Sequence, residues 1–541
     1  MVCRKIGMPK VWLIVWLLFI CVYAFSSEDR PDQNRQVRVS FSSTQIEVNF
    51  ALSINDISTN SDDVVSFAKD INLTNTLKRA RLPYQVITVF SKLEDIKVEY
   101  ELGDEYVYED SQLEFETIKK YRCGNHIYSL EPDAEFHQKK LTPFYTIETL
   151  GDFRNMPISR VIVYPVRYSI REKRLLFYPD IKFIISDKYH RKLSSDPTTL
   201  YKTINNRYLI VSPRQYLDQF STYADYKRSQ GFEVDLVAKE TLGNKFDEIK
   251  ASLKKRYLNP LTRFSYAMLV GHENMFPTEY VKTSSSDQTP SDHNYFTLGE
   301  NQDAWADVIY SRMTIKNEQD IEGQLAKFMA YEAENNLHKD LLALASDEGE
   351  NPSDKELMET LLQPLSDHYQ INKMYQEDSE TTAFNVIKAF SSDLRWIYYL
   401  GHGTGNAWTS LFDNKSFTTL DMRKIPHHPI KPVLIDISCS NGRFAINKFG
   451  ERFLNTHNQL GESVGVASYF GGSVSISWQG PAIMAQGISQ NSLTSQTLGE
   501  AILKGKFHLL NHYSDLAEIK DTFLWMHLQG DPTLLLDSVL D

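Results

Sequence analysis

Two side chains in this sequence could act together in catalysis, the imidazole of His402 and the thiol of Cys439. Each follows directly on a short apolar run, and His402 stands between Gly401 and Gly403. A cysteine attacks as its thiolate, and a nearby imidazole lowers the thiol pKa from its unassisted value of about 8.5. Glycines beside the histidine let a substrate backbone approach closely and leave N–H groups free to point at it. If the two residues meet, they predict catalysis by a cysteine nucleophile.

The elements that must position these residues are two strands of a parallel sheet. Residues 396–400 and 433–437 are apolar runs of strand length, and each ends just before one of the two candidates. From residue 208 onward apolar strands alternate with amphipathic helices, and repeated β–α–β units imply a parallel sheet with helices on its faces. Sheets of this kind bind ligands beyond the carboxyl ends of their strands. The alternatives are a buried cysteine and a histidine in an ordinary turn, but their equivalent positions favour a shared site.

The region before residue 200 has a different pattern. Short runs such as 37–41 and 85–90 alternate apolar with polar residues and are rich in β-branched and aromatic side chains, which predicts a mainly antiparallel β domain. The polar stretch 188–203 has the composition of a linker. The predicted units are residues 1–27 (signal peptide), 28–200 (β-rich domain), 205–338 (first α/β subdomain) and 339–541 (second subdomain, with the catalytic residues).

The first segment has the pattern of an export signal. Arg4, Lys5 and Lys10 precede an apolar run from 11 to 24, and small and acidic residues follow it. Fourteen helical residues reach roughly 21 Å, which is short of a hydrocarbon core of about 30 Å. This pattern is typical of a secretory signal, and the alternative is an anchor that stays attached. We expect an exported protein, periplasmic or extracellular, with no membrane contact once the signal is removed.

The composition narrows the class of protein further. The 541 residues carry 58 Lys and Arg against 70 Asp and Glu, a net charge of −12, so general nucleic-acid binding is unfavourable. Of the four cysteines, Cys3 and Cys21 would leave with the signal. The remaining pair, Cys123 and Cys439, is either a disulfide or one buried thiol and one used thiol.

Both candidate catalytic residues lie in segments that resemble a known family. Gly401-His402-Gly403-Thr404 and the run Asp-Ile-Ser-Cys-Ser-Asn-Gly at 436–442 are similar to the gingipain family of cysteine peptidases, in the caspase-like clan. The resemblance covers about residues 205–536. It implies an α/β fold, a caspase-like parallel-sheet catalytic unit of two subdomains preceded by a mainly β prodomain. It also implies that Cys439 is the nucleophile, His402 the general acid and base, and the N–H groups of Gly403 and Cys439 the oxyanion hole.

Three further residues match the family one at a time. The resemblance implies that Glu348 is the acidic partner of the histidine, which a carboxylate would orient, although an acidic solvated loop is the alternative. It also implies that Asp354 lies at the floor of an arginine pocket and that Trp478 stacks on the guanidinium. The loop 348–354 is shorter than in the arginine-specific members, so the choice between Arg, Lys and another residue stays open. For Trp478 the alternative is a core aromatic residue.

The β-rich domain resembles the propeptide that blocks the active site in this family until it is cleaved. For the residue that fills the specificity pocket of the zymogen, the candidates are Arg79, Arg81 and Arg154, and we interpret Cys123 as structural. Self-processing near Arg191-Lys192 or Arg207 would follow if the enzyme prefers basic residues.

The predicted function is therefore an exported cysteine endopeptidase, made as a zymogen, that acts on polypeptides after Arg or Lys. Its partners are these substrates and its own prodomain as inhibitor. A transpeptidase or a non-catalytic exported binding or assembly factor on the same scaffold is an alternative. A serine esterase at Ser463 is less favoured, because its Gly-x-Ser-x-Gly motif needs a strand before the serine and a helix after it. No organic cofactor or metal site is implied, and the resemblance leaves room for structural calcium.

Overall fold

The structure is a computed structural model. It describes residues 37–42, 44–60, 64–68, 72–74, 79–116, 118–123, 126–128, 141–189, 204–299, 304–333, 340–349 and 352–536. The predicted signal peptide and the processing candidates Arg191 and Lys192 lie outside these residues. No helix in the described ranges is long and apolar enough to cross a membrane.

The first part of the described chain consists of short strands, most of them paired antiparallel. The strands are β1 (Val37–Phe41), β2 (Gln45–Ala51), β3 (Ile57–Thr59), β4 (Val64–Phe67), β5 (Gln85–Val89), β6 (Ile96–Leu102), β7 (Tyr106–Tyr108), β8 (Gln112–Leu113), β9 (Ile118–Lys120), β10 (His126–Tyr128), β11 (Tyr145–Phe153), β12 (Met156–Val163), β13 (Val166–Ser169), β14 (Arg174–Phe177) and β15 (Asp180–Asp187). In β2 the alternate residues Ile46, Val48 and Phe50 are buried, as the period of two in the sequence predicts. This part has its own apolar core.

The second part alternates strands with helices. Its strands are β16 (Arg207–Ser212), β17 (Glu233–Ala238), β18 (Tyr266–Val270), β19 (Glu279–Val281), β20 (Thr289–Ser291), β21 (Ile309–Met313), β22 (Asp340–Ala345), β23 (Gln370–Tyr375), β24 (Leu394–Leu400), β25 (Ala407–Trp408), β26 (Phe417–Thr418), β27 (Val433–Ile437), β28 (Ser468–Gly472) and β29 (Met526–Gln529). Its helices are α1 (Ser221–Ser229), α2 (Lys239–Leu242), α3 (Phe246–Leu258), α4 (Glu318–Ala333), α5 (Asp354–Leu362), α6 (Ala383–Ala389), α7 (Phe449–Asn455), α8 (Gly480–Ser492), α9 (Leu498–His512) and α10 (Leu516–Trp525).

A single ten-stranded sheet organises this second part. Its strand order is β17-β16-β18-β21-β29-β28-β27-β24-β22-β23. The strands up to β29 are parallel to one another, and the strands from β28 onward form a second parallel block that runs in the opposite direction. The strand β29 therefore joins the two blocks. The predicted fold class is confirmed: a largely parallel α/β unit follows a mainly β region.

The register of the central strands brings the two candidate residues to one edge. The strands β24 and β27 are parallel neighbours, and Leu400 lies opposite Ile437 at their carboxyl ends. Both strands are fully buried, which explains why their sequences are mostly apolar rather than alternating, apart from Arg395 and Asp436. His402 and Cys439 are each the second residue beyond their strand.

Candidate active site

His402 and Cys439 converge on one short segment of the N-terminal region, the dipeptide Arg122–Cys123. The ring nitrogen Nδ1 of His402 contacts the carbonyl oxygen of Arg122. The sulfur of Cys439 forms a disulfide with Cys123, and the Cα atoms of the two cysteines are 6.1 Å apart. The two side chains therefore contact adjacent residues of one short segment.

Glu348 lies on the opposite side of the imidazole. It follows β22, the strand next to β24, and its Oε2 is 2.8 Å from Nε2 of His402. Each ring nitrogen thus lies against an oxygen atom, Nδ1 against the Arg122 carbonyl and Nε2 against the Glu348 carboxylate. The arrangement is a carboxylate–imidazole pair that leaves Nδ1 directed at the bound carbonyl.

A buried carboxylate supports the loop that carries Cys439. Asp436 accepts hydrogen bonds from the side chains of Ser438 (2.5 Å), Tyr469 (2.6 Å) and Trp408 (2.9 Å). Burial raises the pKa of Asp436 to about 6 despite these donors. Asp436 is not among the predicted site residues, and the signal that could have identified it is its place as the single acidic residue inside the apolar run 433–437.

The loop after the nucleophile is held in an unusual conformation. Ser440 has a φ of 62°, in the left-handed region, and its N–H donates to the carbonyl of Val474 at 2.8 Å. Gly403 packs on the same loop so closely that a Cβ there would lie 2.5 Å from the carbonyl oxygen of Cys439. Among the described residues, no hydrogen bond uses the N–H of Gly403 or of Cys439.

The predicted specificity residues form a pocket around an arginine. Asp354 begins α5, and its buried carboxylate accepts a hydrogen bond from Ser346 at 2.7 Å. The Arg122 guanidinium donates through Nη1 to Asp354 Oδ2 at 2.7 Å and through Nη2 to the carbonyl of Trp478 at 2.8 Å. Its central carbon lies 4.7 Å from the centroid of the Trp478 ring. Arg122 is fully buried in this pocket.

The arginine in the pocket is not one of the three predicted from the sequence. Arg79 is exposed. Arg81 pairs with Glu114 at 3.5 Å in a partly exposed ion pair, and Arg154 is buried elsewhere, with its guanidinium donating to the carbonyl of Phe264. The prediction was wrong because side-chain type alone does not reveal which segment docks. The position of Arg122 directly before the only other cysteine of the predicted mature chain was the signal that could have identified it.

The backbone of the docked segment pairs with the catalytic unit like an added strand. The N–H of Arg122 donates to the carbonyl of Ile476 at 2.9 Å, and the N–H of Trp478 donates to the carbonyl of Lys120 at 3.1 Å. Tyr121 and Ser477 form the antiparallel bridge between these bonds. This is the main-chain recognition by which extended peptides add to a sheet edge.

The disulfide corrects one interpretation from the sequence. Of the two alternatives for Cys123 and Cys439, the structure contains the disulfide. Cys123 is therefore not a structural residue of the β-rich region; it bonds the candidate nucleophile itself and lies exposed next to Ser475.

The competing serine site does not have the required geometry. Ser463 lies in the connection between α7 and β28, where it bridges to His457. A helix precedes the serine and a strand follows it, the reverse of a nucleophile elbow.

The described residues contain no group of three or more His, Cys, Asp or Glu side chains placed to hold a metal ion.

Comparisons with known proteins identify the family and the fold. A family model described as peptidase family C25 matches residues 201–537. Gingipain R2 of Porphyromonas gingivalis (strain ATCC BAA-308 / W83) is 23% identical over 358 residues, which cover 62% of this chain and 46% of the relative. Gingipain R1 of Porphyromonas gingivalis is 22% identical over 454 residues, 75% of this chain and 44% of the relative. The chain thus spans about half the length of these curated relatives.

Two solved structures have the same fold. The crystal structure of the Arg-specific cysteine proteinase gingipain R has a TM-score of 0.55 and 21% identity, and the match covers 61% of this chain and 78% of that chain. The complex of the Porphyromonas gingivalis RgpB pro- and mature domains has a TM-score of 0.55 and 22% identity, covering 61% and 79%. The predicted resemblance to the gingipain family and the caspase-like fold are confirmed.

Proposed function

The chain belongs to peptidase family C25, and from this we propose that it is an exported cysteine endopeptidase, synthesised as a zymogen, which cleaves polypeptides after arginine. The observation that carries the proposal is Arg122, whose side chain fills a pocket and whose carbonyl meets the imidazole of His402. A peptide bound in this way presents its carbonyl to a thiolate and its side chain to a carboxylate.

The proposed reaction uses the residues at the strand ends. The thiolate of Cys439 attacks the carbonyl carbon of the substrate arginine. The resulting oxyanion accepts hydrogen bonds from the N–H groups of Gly403 and Cys439. His402 gives a proton to the leaving amine, which departs and leaves a thioester. It then takes a proton from the water that hydrolyses the thioester. Glu348 orients the imidazole and stabilises its charged form.

The contacts of Arg122 favour arginine over lysine as the preferred residue. The two terminal nitrogens of its guanidinium bond different acceptors, Asp354 and the carbonyl of Trp478, and its plane lies against an indole. An ammonium group is a point charge and cannot reproduce both directions together with the stacking. Lysine peptides should therefore be cleaved more slowly than arginine peptides.

The same contacts support latency. The segment 120–122 occupies the substrate position, and its backbone bonds to Ile476 and Trp478 are those that a substrate would need. The β-rich region is thus proposed as the inhibitor of its own catalytic unit. Export is proposed from the sequence pattern of the signal-like segment at residues 1–27. That segment lies outside the described residues.

The test is a panel of reporter peptides with Arg, Lys, Asp or Leu before the cleaved bond. The full chain, with Arg122→Ala to empty the pocket and treated with a thiol reductant, should cleave the Arg reporter fastest. The Cys439→Ala variant should be inactive, the Asp354→Ala variant should lose the preference for Arg, and the matched control Ser463→Ala should keep full activity. Equal turnover by the wild type and the Cys439→Ala variant would refute the assignment.

Transpeptidation uses the same thioester and remains the second candidate, because an amine can replace water at that step. Mass spectrometry of the products in the presence of an added amine distinguishes the two: a new amide bond to the amine indicates transfer, and free carboxylate indicates hydrolysis.

A further inference from the structure

The docked segment has contacts on a second face, away from the arginine pocket. Successive side chains of an extended strand point in opposite directions, so Lys119 and Tyr121 share a face that Arg122 does not. Both lie against α10. The ring centroids of Tyr121 and Trp525 are 6.3 Å apart, and Tyr121 is buried.

Lys119 enters an acidic site at the start of α10. Its Nζ is 3.0 Å from Glu518 Oε2 and 3.8 Å from Asp515 Oδ2. The exposed fractions of the three side chains are 12% for Lys119, 3% for Glu518 and 9% for Asp515. Two buried carboxylates side by side are unfavourable unless a cation neutralises them. Burial alone would lower the pKa of Lys119, but Glu518 and Asp515 outweigh it and raise the pKa.

The helix is built to present these groups to a bound strand. Asp515 caps α10 by accepting the N–H groups of Ala517 and Glu518. Glu518 and Trp525 are seven residues apart and so lie on one face of the helix. Ser477, which pairs with the docked strand, donates its hydroxyl to Glu518. A hydrogen bond from Ser477 therefore connects the segment that pairs with the docked strand to the face of α10 that carries Glu518.

We infer that this face of α10 recognises two further substrate residues. An aromatic residue directly before the substrate arginine packs on Trp525. A lysine or arginine three residues before the substrate arginine is bound by Asp515 and Glu518. The inference deepens the proposed function and rests on it, because a substrate strand must take the register of residues 119–122. The substrate class is a basic peptide of the pattern Lys-x-aromatic-Arg.

The test uses the full chain with the prosegment contacts removed by Lys119→Ala, Arg122→Ala and Cys123→Ser together. Reporters Lys-Ala-Tyr-Arg, Glu-Ala-Tyr-Arg, Lys-Ala-Gly-Arg and Ala-Ala-Ala-Arg are compared by kcat/KM. Lys should exceed Glu at the first position by about thirtyfold or more, the effect of losing one partner of a buried charge pair. Tyr should exceed Gly before the arginine.

Two neutral substitutions test the acidic pair. Asp515→Asn keeps a capping side chain and Glu518→Gln keeps the shape, so together they should erase the Lys preference and leave the Tyr preference. Asp225→Asn, at an exposed carboxylate on α1, is the matched control and should change neither. Cleavage of arginine reporters with no Lys-over-Glu difference overturns the inference and leaves the proposed function standing.

A binding measurement keeps the inference testable without turnover. The same full-chain variant, with Cys439→Ala added, is titrated with fluorescein-labelled Lys-Ala-Tyr-Arg and Glu-Ala-Tyr-Arg peptides by fluorescence anisotropy. Tighter binding of the Lys peptide supports the acidic subsite, and equal or absent binding overturns it. If no arginine reporter is cleaved, the proposed function fails and the anisotropy result alone decides the inference.

The disulfide carries a second, independent inference. Cys439 is fully buried and bonded to Cys123, while Cys123 is exposed at the end of the docked segment. A sulfur in a disulfide has no thiolate with which to attack a carbonyl. We propose that this bond is a redox lock on the zymogen, which an external thiol opens from the Cys123 side. Two thiols of the reductant become one disulfide, and the Cys123–Cys439 bond becomes two thiols.

The lock is tested by alkylation, which needs no activity. In full chain purified without reductant and then unfolded in urea, iodoacetamide should leave Cys439 unlabelled, and peptide mapping should find Cys123 linked to Cys439. After dithiothreitol both cysteines should be labelled. In the Cys123→Ser variant, Cys439 should be labelled without reductant, and with Arg122→Ala added the turnover of the Arg reporter should no longer depend on dithiothreitol. Labelling of Cys439 in the unreduced wild type would overturn the lock, whether or not the protein is a peptidase.

Discussion

The carboxylate of Asp436 accepts the indole N–H of Trp408 at 2.9 Å, directly beneath the loop that carries Cys439. Tyr469 and Ser438 donate to the same carboxylate, so one buried acid connects β27, β28 and the loop after β24. Because burial raises its pKa to about 6, the charge on this group changes in a pH range where peptidases are assayed. The loop that carries Cys439 is therefore held by a carboxyl group whose charge depends on pH.

The first prediction is that Asp436 makes the free energy of unfolding depend on pH. Its folded-state pKa, about 6, lies above the ordinary value of 3.8, so the folded state holds a proton that the unfolded state loses between about pH 4 and 6. The unfolding free energy contributed by this group therefore falls as the pH rises through that window, by up to about 3 kcal/mol. Urea unfolding of the wild type and Asp436→Asn from pH 4 to 7 should give a difference that declines with pH, whereas Asp225→Asn should follow the wild type. Parallel curves for the wild type and Asp436→Asn would contradict the prediction.

A second prediction concerns Glu348. Replacing it by Gln keeps an oxygen near Nε2 of His402 and removes the charge, which should lower kcat by about tenfold or more and leave KM for the Arg reporter nearly unchanged. Steady-state kinetics on the reduced enzyme measures this split. Glu359→Gln, at an exposed carboxylate of α5 paired with Lys373, is the control and should behave as the wild type. A rise in KM with kcat intact would assign Glu348 to substrate binding instead.

A third prediction follows from the buried ion pair of Arg122 with Asp354. Asp354→Asn leaves a buried guanidinium without its counter-charge and should lower the stability of the closed zymogen by about 3–5 kcal/mol. Arg122→Met removes that unpaired charge, so the double variant should be less destabilised than the sum of the two single variants. The midpoints of urea unfolding for the four proteins complete the cycle. Strict additivity would mean that the two groups do not interact.

The fourth prediction is steric. Gly403→Ala places a Cβ 2.5 Å from the carbonyl oxygen of Cys439 and 2.6 Å from the Ser438 hydroxyl, so the loops must separate and activity should be lost. Gly323→Ala, in α4, meets its nearest atom at 3.9 Å and should be neutral or slightly stabilising. Reporter turnover and the thermal midpoint of both variants check this. An active Gly403→Ala enzyme would show that the loop tolerates displacement.

Sequence patterns located the central strands and the residues at their ends, because a buried parallel strand must be apolar throughout and its carboxyl end must face the ligand. They were less accurate where burial occurs outside a regular element. The apolar run 463–469 predicts a strand, yet β28 begins at Ser468, because Val464 and Val466 are buried in the preceding connection. Apolar character reports burial, and secondary structure only indirectly.

The identities of Arg122 and of the α10 residues could not be predicted for a different reason. Their roles arise when a strand of the β-rich region docks on residues 476–478, a pairing between segments more than 350 positions apart. Asp515, Glu518 and Asp521 look in sequence like the solvated face of a helix. The docked Lys119 and Tyr121, together with the hydroxyl of Ser477, distinguish that face from an ordinary surface.

The position of β29 has a consequence for the order in which the molecule is assembled. This strand lies between β21 and β28, although the ribosome makes it after every other strand of the sheet. During synthesis the two parallel blocks therefore have no shared partner until residues 526–529 emerge. The β-rich region is complete long before then, so it is ready to meet the catalytic unit at the moment the sheet closes.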